Sequence, residues 1–259
     1  MKMLITIDVG NSSINIGYFL DSEFLIQKIA THPLRSAGEY RGLMSDFLEQ
    51  NHIEKKIFNC IISSVVTSHT MVLREAVEKL SGDAASDIIV LDHQMETGLN
   101  FKIKAPEELG TDRLANAAGA YALYGGPVAV IDFGTATTIT VVGNNADFIG
   151  GSIMAGIGLM NDMLAQRTSK LAKVALAQPG SALGTDTEGC ILSGLLIGTA
   201  GAVERVLDEI EKETGYIFRV VITGGYAHLV DGFIKRPHEL NLFLTLEGLR
   251  EIYAKNRSA

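Results

Sequence analysis

Cysteine is scarce in this chain. Cys60 and Cys190 are the only two, far apart and both in apolar settings, so two buried free thiols in a reducing compartment are expected. Excess positive charge is missing too. The formal net charge is −8, which argues against nucleic acid or an anionic membrane surface as a main partner. An anionic ligand stays open, because local donors decide that. The six histidines show no metal-ligand spacing such as H-x-x-x-H. No apolar run approaches the length of a transmembrane helix, and the N-terminal run Met3 to Ile7 ends at Asp8, too short for a signal-peptide core. There is no low-complexity segment and no obvious flexible linker. The 259 residues suffice for a substantial core in one large domain or two smaller ones, and a soluble cytoplasmic protein is expected.

What is present is one phrase, twice. Near the N-terminus the chain reads Ile5-Thr6-Ile7-Asp8-Val9-Gly10-Asn11-Ser12-Ser13, and close to half a chain later Val130-Ile131-Asp132-Phe133-Gly134-Thr135-Ala136-Thr137-Thr138. Each is an apolar β-type run, then Asp-x-Gly, then small hydroxyl or amide residues, then a second β-type run. Two copies of a strand-turn-strand unit imply two similar half-domains facing each other. The glycines let a backbone approach a ligand closely, and the amides and hydroxyls around them are donors for phosphate oxygens. An aspartate repels phosphate, so its sensible role is to hold a cation or its hydration shell against phosphates. The bland alternative is a pair of hairpins that use Asp and Gly because turns do. A repeat half a chain apart weighs against it.

The rest of the pattern is α/β. Residues 3–7, 14–19 and 24–29 read as a three-strand meander, and 37–50 as a helix with Leu43, Phe47 and Leu48 on one face. Ile57 to Val66 reads as a buried strand, 68–80 as a helix and Ile88 to Leu91 as a strand. A helix is expected in 107–124, after Gly110. Val128 to Ile131, Thr138 to Val142 and Asp147 to Ile149 repeat the meander, followed by helices at 156–167 and 187–213, a strand Phe218 to Thr223 and a tail helix at 245–254. The order β-β-β-α-β-α, twice, implies mixed sheets. The glycine-rich stretch Gly150 to Gly158 reads as close packing or backbone approach to a ligand.

Two further constellations carry chemistry. Glu107-Glu108-Leu109-Gly110-Thr111-Asp112-Arg113 places Asp112 and Arg113 in the first turn of a helix, whose free amides favour anions. Arg113 can clamp a carboxylate bidentately, and Asp112 can accept a proton from an attacking hydroxyl. The alternative is a solvated helix start with Asp112 favourable against the dipole. Thr223-Gly224-Gly225-Tyr226-Ala227 ends a strand in two glycines, which lets a flat adenine or ribose lie on the backbone, or is an ordinary strand-to-helix turn.

Paired Asp-x-Gly hairpins and a late Thr-Gly-Gly resemble the superfamily of sugar and acetate kinases, actin and the heat-shock chaperone ATPases. Within it the chain resembles the type III pantothenate kinases nearly end to end. The matching pieces are Asp8-Val9-Gly10-Asn11, Ser63-Ser64-Val65-Val66, Glu108 to Arg113, Asp132-Phe133-Gly134-Thr135-Ala136-Thr137, Gly150-Gly151-Ser152-Ile153, Thr223-Gly224-Gly225 and Leu244 to Leu249. The resemblance implies an α/β protein of two ribonuclease-H-like half-domains, 1–115 and 116–259, facing a central nucleotide cleft. It implies ATP-dependent phosphorylation of pantothenate at its primary hydroxyl to 4′-phosphopantothenate, the first step of coenzyme A synthesis. Mg²⁺-ATP, a monovalent cation (potassium or ammonium) and a homodimer come with it. On the matching positions Asp112 is the general base. Gly110, Thr111, Asp112 and Arg113 hold pantothenate, with Arg113 on its carboxylate, and Thr187 is a further substrate contact. Asp8, Val9, Gly10, Asn11, Ser12, Ser13, Ile14 and Asn15 form the ATP phosphate loop, and Thr135 also contacts ATP. Asp132 takes the monovalent cation and Asp8 the Mg²⁺.

The chain departs from the family in several places. It has Ser12 where a threonine is usual, which keeps the hydroxyl. Ile103 stands where a tyrosine is frequent, which removes a substrate contact. Thr67, Ala155 and Ala172 replace prolines, which changes loop rigidity more than chemistry. Two rivals remain from the sequence: a nucleotide-binding regulatory paralogue without turnover, and a kinase for another small hydroxy acid. A chaperone-like ATPase would need a peptide-binding domain for which the chain has no room.

Overall fold

The structure is a computed structural model that describes residues 3–20, 23–53, 58–82 and 87–257. In chain order the elements are β1 (Met3–Val9), β2 (Ser13–Leu20), β3 (Glu23–Ala30), α1 (Ala37–Gln50), β4 (Phe58–Ser64), α2 (Thr67–Ser81), β5 (Asp87–Val90), β6 (Asn100–Phe101) and α3 (Thr111–Tyr124). Then follow β7 (Val128–Phe133), β8 (Ala136–Val142), β9 (Asp147–Ala155), α4 (Ile157–Arg167), α5 (Thr187–Thr214), β10 (Arg219–Thr223), α6 (Ala227–Val230), β11 (His238–Leu240) and α7 (Leu244–Arg257). Ile57, expected to open the fourth strand, lies outside the described residues.

Two compact units divide the chain, and neither is a single stretch of sequence. One comprises Met1–Leu99, Lys104–Gly119 and Thr245–Ala259; the other comprises Asn100–Ile103 and Ala120–Leu244. The first unit has one five-stranded mixed sheet in the order β3-β2-β1-β4-β5. β1 pairs antiparallel with β2 and parallel with β4. Alternation along the strands sends Ile5, Ile7, Val9, Phe58, Cys60 and Ile62 into one core with Met44 and Leu48 of α1 and Leu73 and Val77 of α2. Each such fully buried aliphatic contributes about 1.5–3 kcal/mol. The opposite face therefore presents Thr6, Asp8, Ile61 and Ser63. Local signals agree with the helix: Ser36 accepts from the Glu39 amide and Glu39 reaches back to the Ser36 amide, a capping box that starts α1. On α3, Leu114, Ala115 and Ala118 are buried, as are Leu246, Leu249 and Ile252 of α7. Thr245 donates to Asn116 Oδ1 at 2.7 Å, and Gly248 lies against the Ala115 carbonyl.

The second unit repeats the order. Its sheet runs β11-β10-β7-β8-β9-β6, in which β7, β8, β9, β10 and β11 stand where β1 to β5 stand in the first. β7 pairs antiparallel with β8 and parallel with β10, so the repeated phrase is also a repeated ribonuclease-H-like topology. Ala129, Ile131, Phe133, Val220 and Ile222 form its core with Leu195, Leu196, Ala200, Val203 and Leu207 of α5. Helix α5 has 28 residues and is long and apolar enough, by length and composition alone, to cross a membrane, contrary to the expectation from the sequence. Its apolar stripe is the stripe that packs on this sheet.

Three further differences have local causes. β9 continues to Ala155, far past the expected Ile149, because Gly150 and Gly151 remain paired with β8; a Cβ on Gly151 would collide with the Ile139 carbonyl. At Gly151 the glycine-rich stretch is close packing, one of the two readings from the sequence. β6, β11 and α6 were not foreseen, being too short to leave a periodic pattern. Cys190 is free but exposed, not buried, because it sits off the α5 stripe of Ile191, Leu195 and Leu196.

At the edge of this second sheet the His238 ring donates from Nδ1 to the Arg236 carbonyl at 2.8 Å and from Nε2 to Asp231 at 2.9 Å. Both partners are acceptors, so the ring satisfies both only when protonated. Desolvation by itself lowers the His238 pKa, but the Arg236 carbonyl and the Asp231 carboxylate outweigh it and the value is raised above 6.5. A raised folded-state pKa gives stability that is fully present below the unfolded value of about 6.5 and is lost as pH rises through the folded value. Thermal unfolding of His238→Gln should lack that step in Tm against pH. Glycine packing gives a second expectation. Gly248→Ala should destabilise the protein by about 1–3 kcal/mol through overpacking. Gly42→Ala, in mid-α1 with open space around it, should stabilise by up to about 1 kcal/mol; denaturant midpoints check both.

Candidate active site

Within the first unit the phosphate-type turn is built by β1 and β2. Asp8 is paired with Asn15 across the hairpin, and the Gly10 amide donates to the Ser13 carbonyl at 3.0 Å to close the turn. Val9 and Ile14 point into the core, so their side chains serve packing and only their backbone belongs to the turn. Asn11 and Ser12 are exposed at its tip.

The parallel register of β1 and β4 sets Ser63 beside Asp8. Ser63 is buried, and its Oγ lies 3.3 Å from Asp8 Oδ1 and 3.0 Å from Thr111 Oγ1. A hydroxyl has one hydrogen and an ionised carboxylate can only accept. The consistent arrangement is therefore Thr111 donating to Ser63 and Ser63 donating to Asp8. That chain ties the carboxylate of the turn to the first residue of α3. The next two residues are Asp112 and Arg113, both half-buried. Asp112 Oδ1 accepts the Arg113 amide at 2.8 Å, folding the carboxylate over the start of its own helix. Gly110 permits this, since a Cβ there would stand 2.5 Å from Asp112 Oδ1. Burial lowers the Arg113 pKa and the neighbouring Asp112 opposes it, so the guanidinium stays charged. Asp8, the 10–13 turn, Thr111, Asp112 and Arg113 are thus assembled in one unit.

The second unit holds Asp132, Thr135 and Thr187. Asp132 pairs with Thr138 across the hairpin and with Thr223 on β10, the counterpart of Ser63. Its turn is one residue shorter than the first and is closed by the Gly134 amide on the Ala136 carbonyl at 3.1 Å. Backbone crowds the Asp132 carboxylate: Gly224, at φ 98°, packs so closely that a Cβ would collide with it. Within the structure, what Gly224 approaches is the Asp132 carboxylate. Thr135 is exposed at the turn, and its carbonyl accepts from the Gly156 amide at 3.1 Å. Thr187 begins α5, capped by Asp186, whose Oδ1 accepts the Gly189 amide at 2.7 Å. It lines a surface cavity of about 660 Å³ with Leu164, Leu171, Thr185, Cys190 and Ile191.

Among the described residues no group of three or more His, Cys, Asp or Glu converges to hold a metal. The donor set at Asp8, a carboxylate with a hydroxyl neighbour, suits Mg²⁺, which keeps waters and takes phosphate oxygens beside one carboxylate. Asp132, crowded by backbone, offers a carboxylate among peptide groups, a setting that suits a potassium-sized ion. Ser63 is a residue of this site to which the sequence alone assigns no role. Its position next to Asp8 follows from strand register, which the sequence does not display.

The chain matches the family profile described as type III pantothenate kinase over residues 4–209. The type III pantothenate kinase of Moorella thermoacetica is 35% identical over 256 residues, covering 98% of this chain and 100% of its own. That of Roseiflexus castenholzii is 38% identical over 257 residues, with coverage of 98% and 100%. A solved candidate 2-dehydro-3-deoxygalactonokinase from Sinorhizobium meliloti superposes with a TM-score of 0.58 at 15% identity, over 99% of this chain and 100% of its own, and shares the fold.

Ser63→Ala takes a hydrogen-bond partner from both Asp8 and Thr111. It should lower the unfolding free energy by about 1–3 kcal/mol, read as a lower denaturant midpoint at unchanged slope. No change would show that the bridging hydroxyl is not hydrogen-bonded to the carboxylate.

Proposed function

The chain belongs to the type III pantothenate kinase family, and on that premise we propose that it transfers a phosphoryl group from ATP to the primary hydroxyl of pantothenate. The observation that carries the reading to residues is the chain Thr111–Ser63–Asp8, which joins the phosphate turn to the helix start bearing Asp112 and Arg113. A kinase needs those two segments held in fixed register, because phosphoryl transfer depends on in-line positioning and charge neutralisation.

The roles follow from the chemistry of each side chain. The turn from Asp8 to Asn15 offers amides and hydroxyls to the ATP phosphates. Asp8 would hold Mg²⁺, which when bound neutralises phosphate charge. Arg113 takes the pantothenate carboxylate in a charge-assisted pair, beside the amides of Gly110 to Asp112 at the helix start. Asp112 is the general base. With Oδ1 occupied by the Arg113 amide, Oδ2 is the oxygen assigned to the hydroxyl proton. A carboxylate is a weak base, which suits a loose transition state in which that proton leaves late. In the second unit, Asp132 holds potassium or ammonium, Thr135 contacts ATP and Thr187 contacts substrate. Ile103 replaces an aromatic contact, which weakens pantothenate binding without touching the phosphate machinery. The protein works in the cytoplasm as a homodimer; Ile191, Leu195 and Leu196 at the start of α5 are buried against their own sheet and are not the subunit contact.

The test is an assay of ADP release with Mg²⁺-ATP and pantothenate, with potassium present or replaced by sodium. Potassium-dependent turnover that requires pantothenate is expected. Asp112→Asn should reduce kcat by about 10²–10⁴-fold and leave ATP binding intact. ATP binding without pantothenate turnover in the unsubstituted protein would move the assignment to a regulatory paralogue or to another hydroxy acid.

A further inference from the structure

A second buried chain of hydrogen bonds reaches the phosphate turn. Thr31, the residue after β3, is buried and grips the turn twice: its Oγ1 donates to the Gly10 carbonyl at 2.7 Å and its amide to the Ser12 carbonyl at 3.3 Å. The carbonyl of Thr31 in turn accepts from His69 Nε2 at 2.8 Å. His69, on the first turn of α2, is 1% exposed. A carbonyl cannot donate, so Nε2 carries the proton, and Nδ1 accepts from the Ser68 hydroxyl at 3.2 Å. One proton therefore satisfies the ring with both contacts.

The two grips have a directional consequence. Peptide bonds 10–11 and 12–13 are trans, the cis bonds among the described residues being His32-Pro33 and Gly126-Pro127. In a trans peptide the carbonyl and the following amide point in opposite directions. Turning the Gly10 and Ser12 carbonyls toward Thr31 thus turns the Asn11 and Ser13 amides away from it. We infer that Thr31, backed by His69, is a positioning residue for ATP: it orients the turn so that these amides are presented to the phosphates before ATP arrives. The inference rests on the assignment of residues 8–15 to ATP. It concerns a different pair of residues, neither of which touches the nucleotide. A buried histidine at this helix position would otherwise be a poor choice against an apolar residue, since it adds polar atoms that must be satisfied.

The experiment measures Kd for Mg²⁺-ATP by calorimetry, KM for both substrates and Tm, in the full-length protein. Thr31→Val keeps the shape and removes the donor to Gly10, and Thr31→Ser keeps the donor. His69→Leu removes the donor to Thr31 and His69→Gln keeps one. Thr31→Val should raise Kd and KM for ATP about tenfold, the size of one lost hydrogen bond, with KM for pantothenate unchanged. Thr31→Ser should restore the wild-type value, and His69→Leu and His69→Gln should differ in the same sense. Unchanged ATP affinity in Thr31→Val, or ATP and pantothenate constants that move together and are not restored by serine, overturns the inference and leaves the kinase assignment standing. If the unsubstituted protein binds no Mg²⁺-ATP, the assignment of the turn falls and this inference with it.

Discussion

The first unit depends on the parallel pairing of β1 with β4. That register puts Ser63 level with Asp8 and so links the turn after β1 to the start of α3. The odd-numbered residues of β1 are committed to the core with α1 and α2, so Asp8 is left on the other face, where a carboxylate can meet solvent or a ligand. A slip of one residue would bury the carboxylate and expose Ile7 or Val9, which the hydrophobic term forbids. The apolar alternation that stabilises the sheet is thus the same constraint that aims the functional side chains.

The second unit shows the same topology with a different turn. Asp132 occupies the position of Asp8, but its turn is shorter and Gly224 is pressed against its carboxylate. The first turn has exposed amide and hydroxyl residues at its tip, and the second has a glycine pressed against the carboxylate. One topology therefore yields two different electrostatic environments through one inserted residue and one glycine.

Much of this was legible in the residues. Helix α1 and the two meanders show strong periodicity, and the repeated phrase announces the repeated topology. What was not legible was whatever depends on which strands become neighbours. Ser63 looks like any serine in a buried strand until β4 is set beside β1. Thr31 and His69 are separated by a helix and a strand, and no spacing rule joins them. Cys190 sits in an apolar stretch, yet helical phase turns it outward, a rotation that average hydropathy does not register. The same averaging makes α5 resemble a membrane helix when its apolar stripe is spent on a β-sheet. β6 and β11 are two and three residues long, below the length at which alternation is a signal.

The tail helix α7 packs in the unit that the N-terminus begins, with Thr245 bonded to Asn116 and Gly248 set against Ala115. On the ribosome this has a temporal meaning. The strands of the second unit emerge before the helix that covers α3 of the first, so the unit begun earliest is completed last. Until Leu246, Leu249 and Ile252 have been synthesised, this part of the first unit's interior has no cover, and its maturation waits on α7.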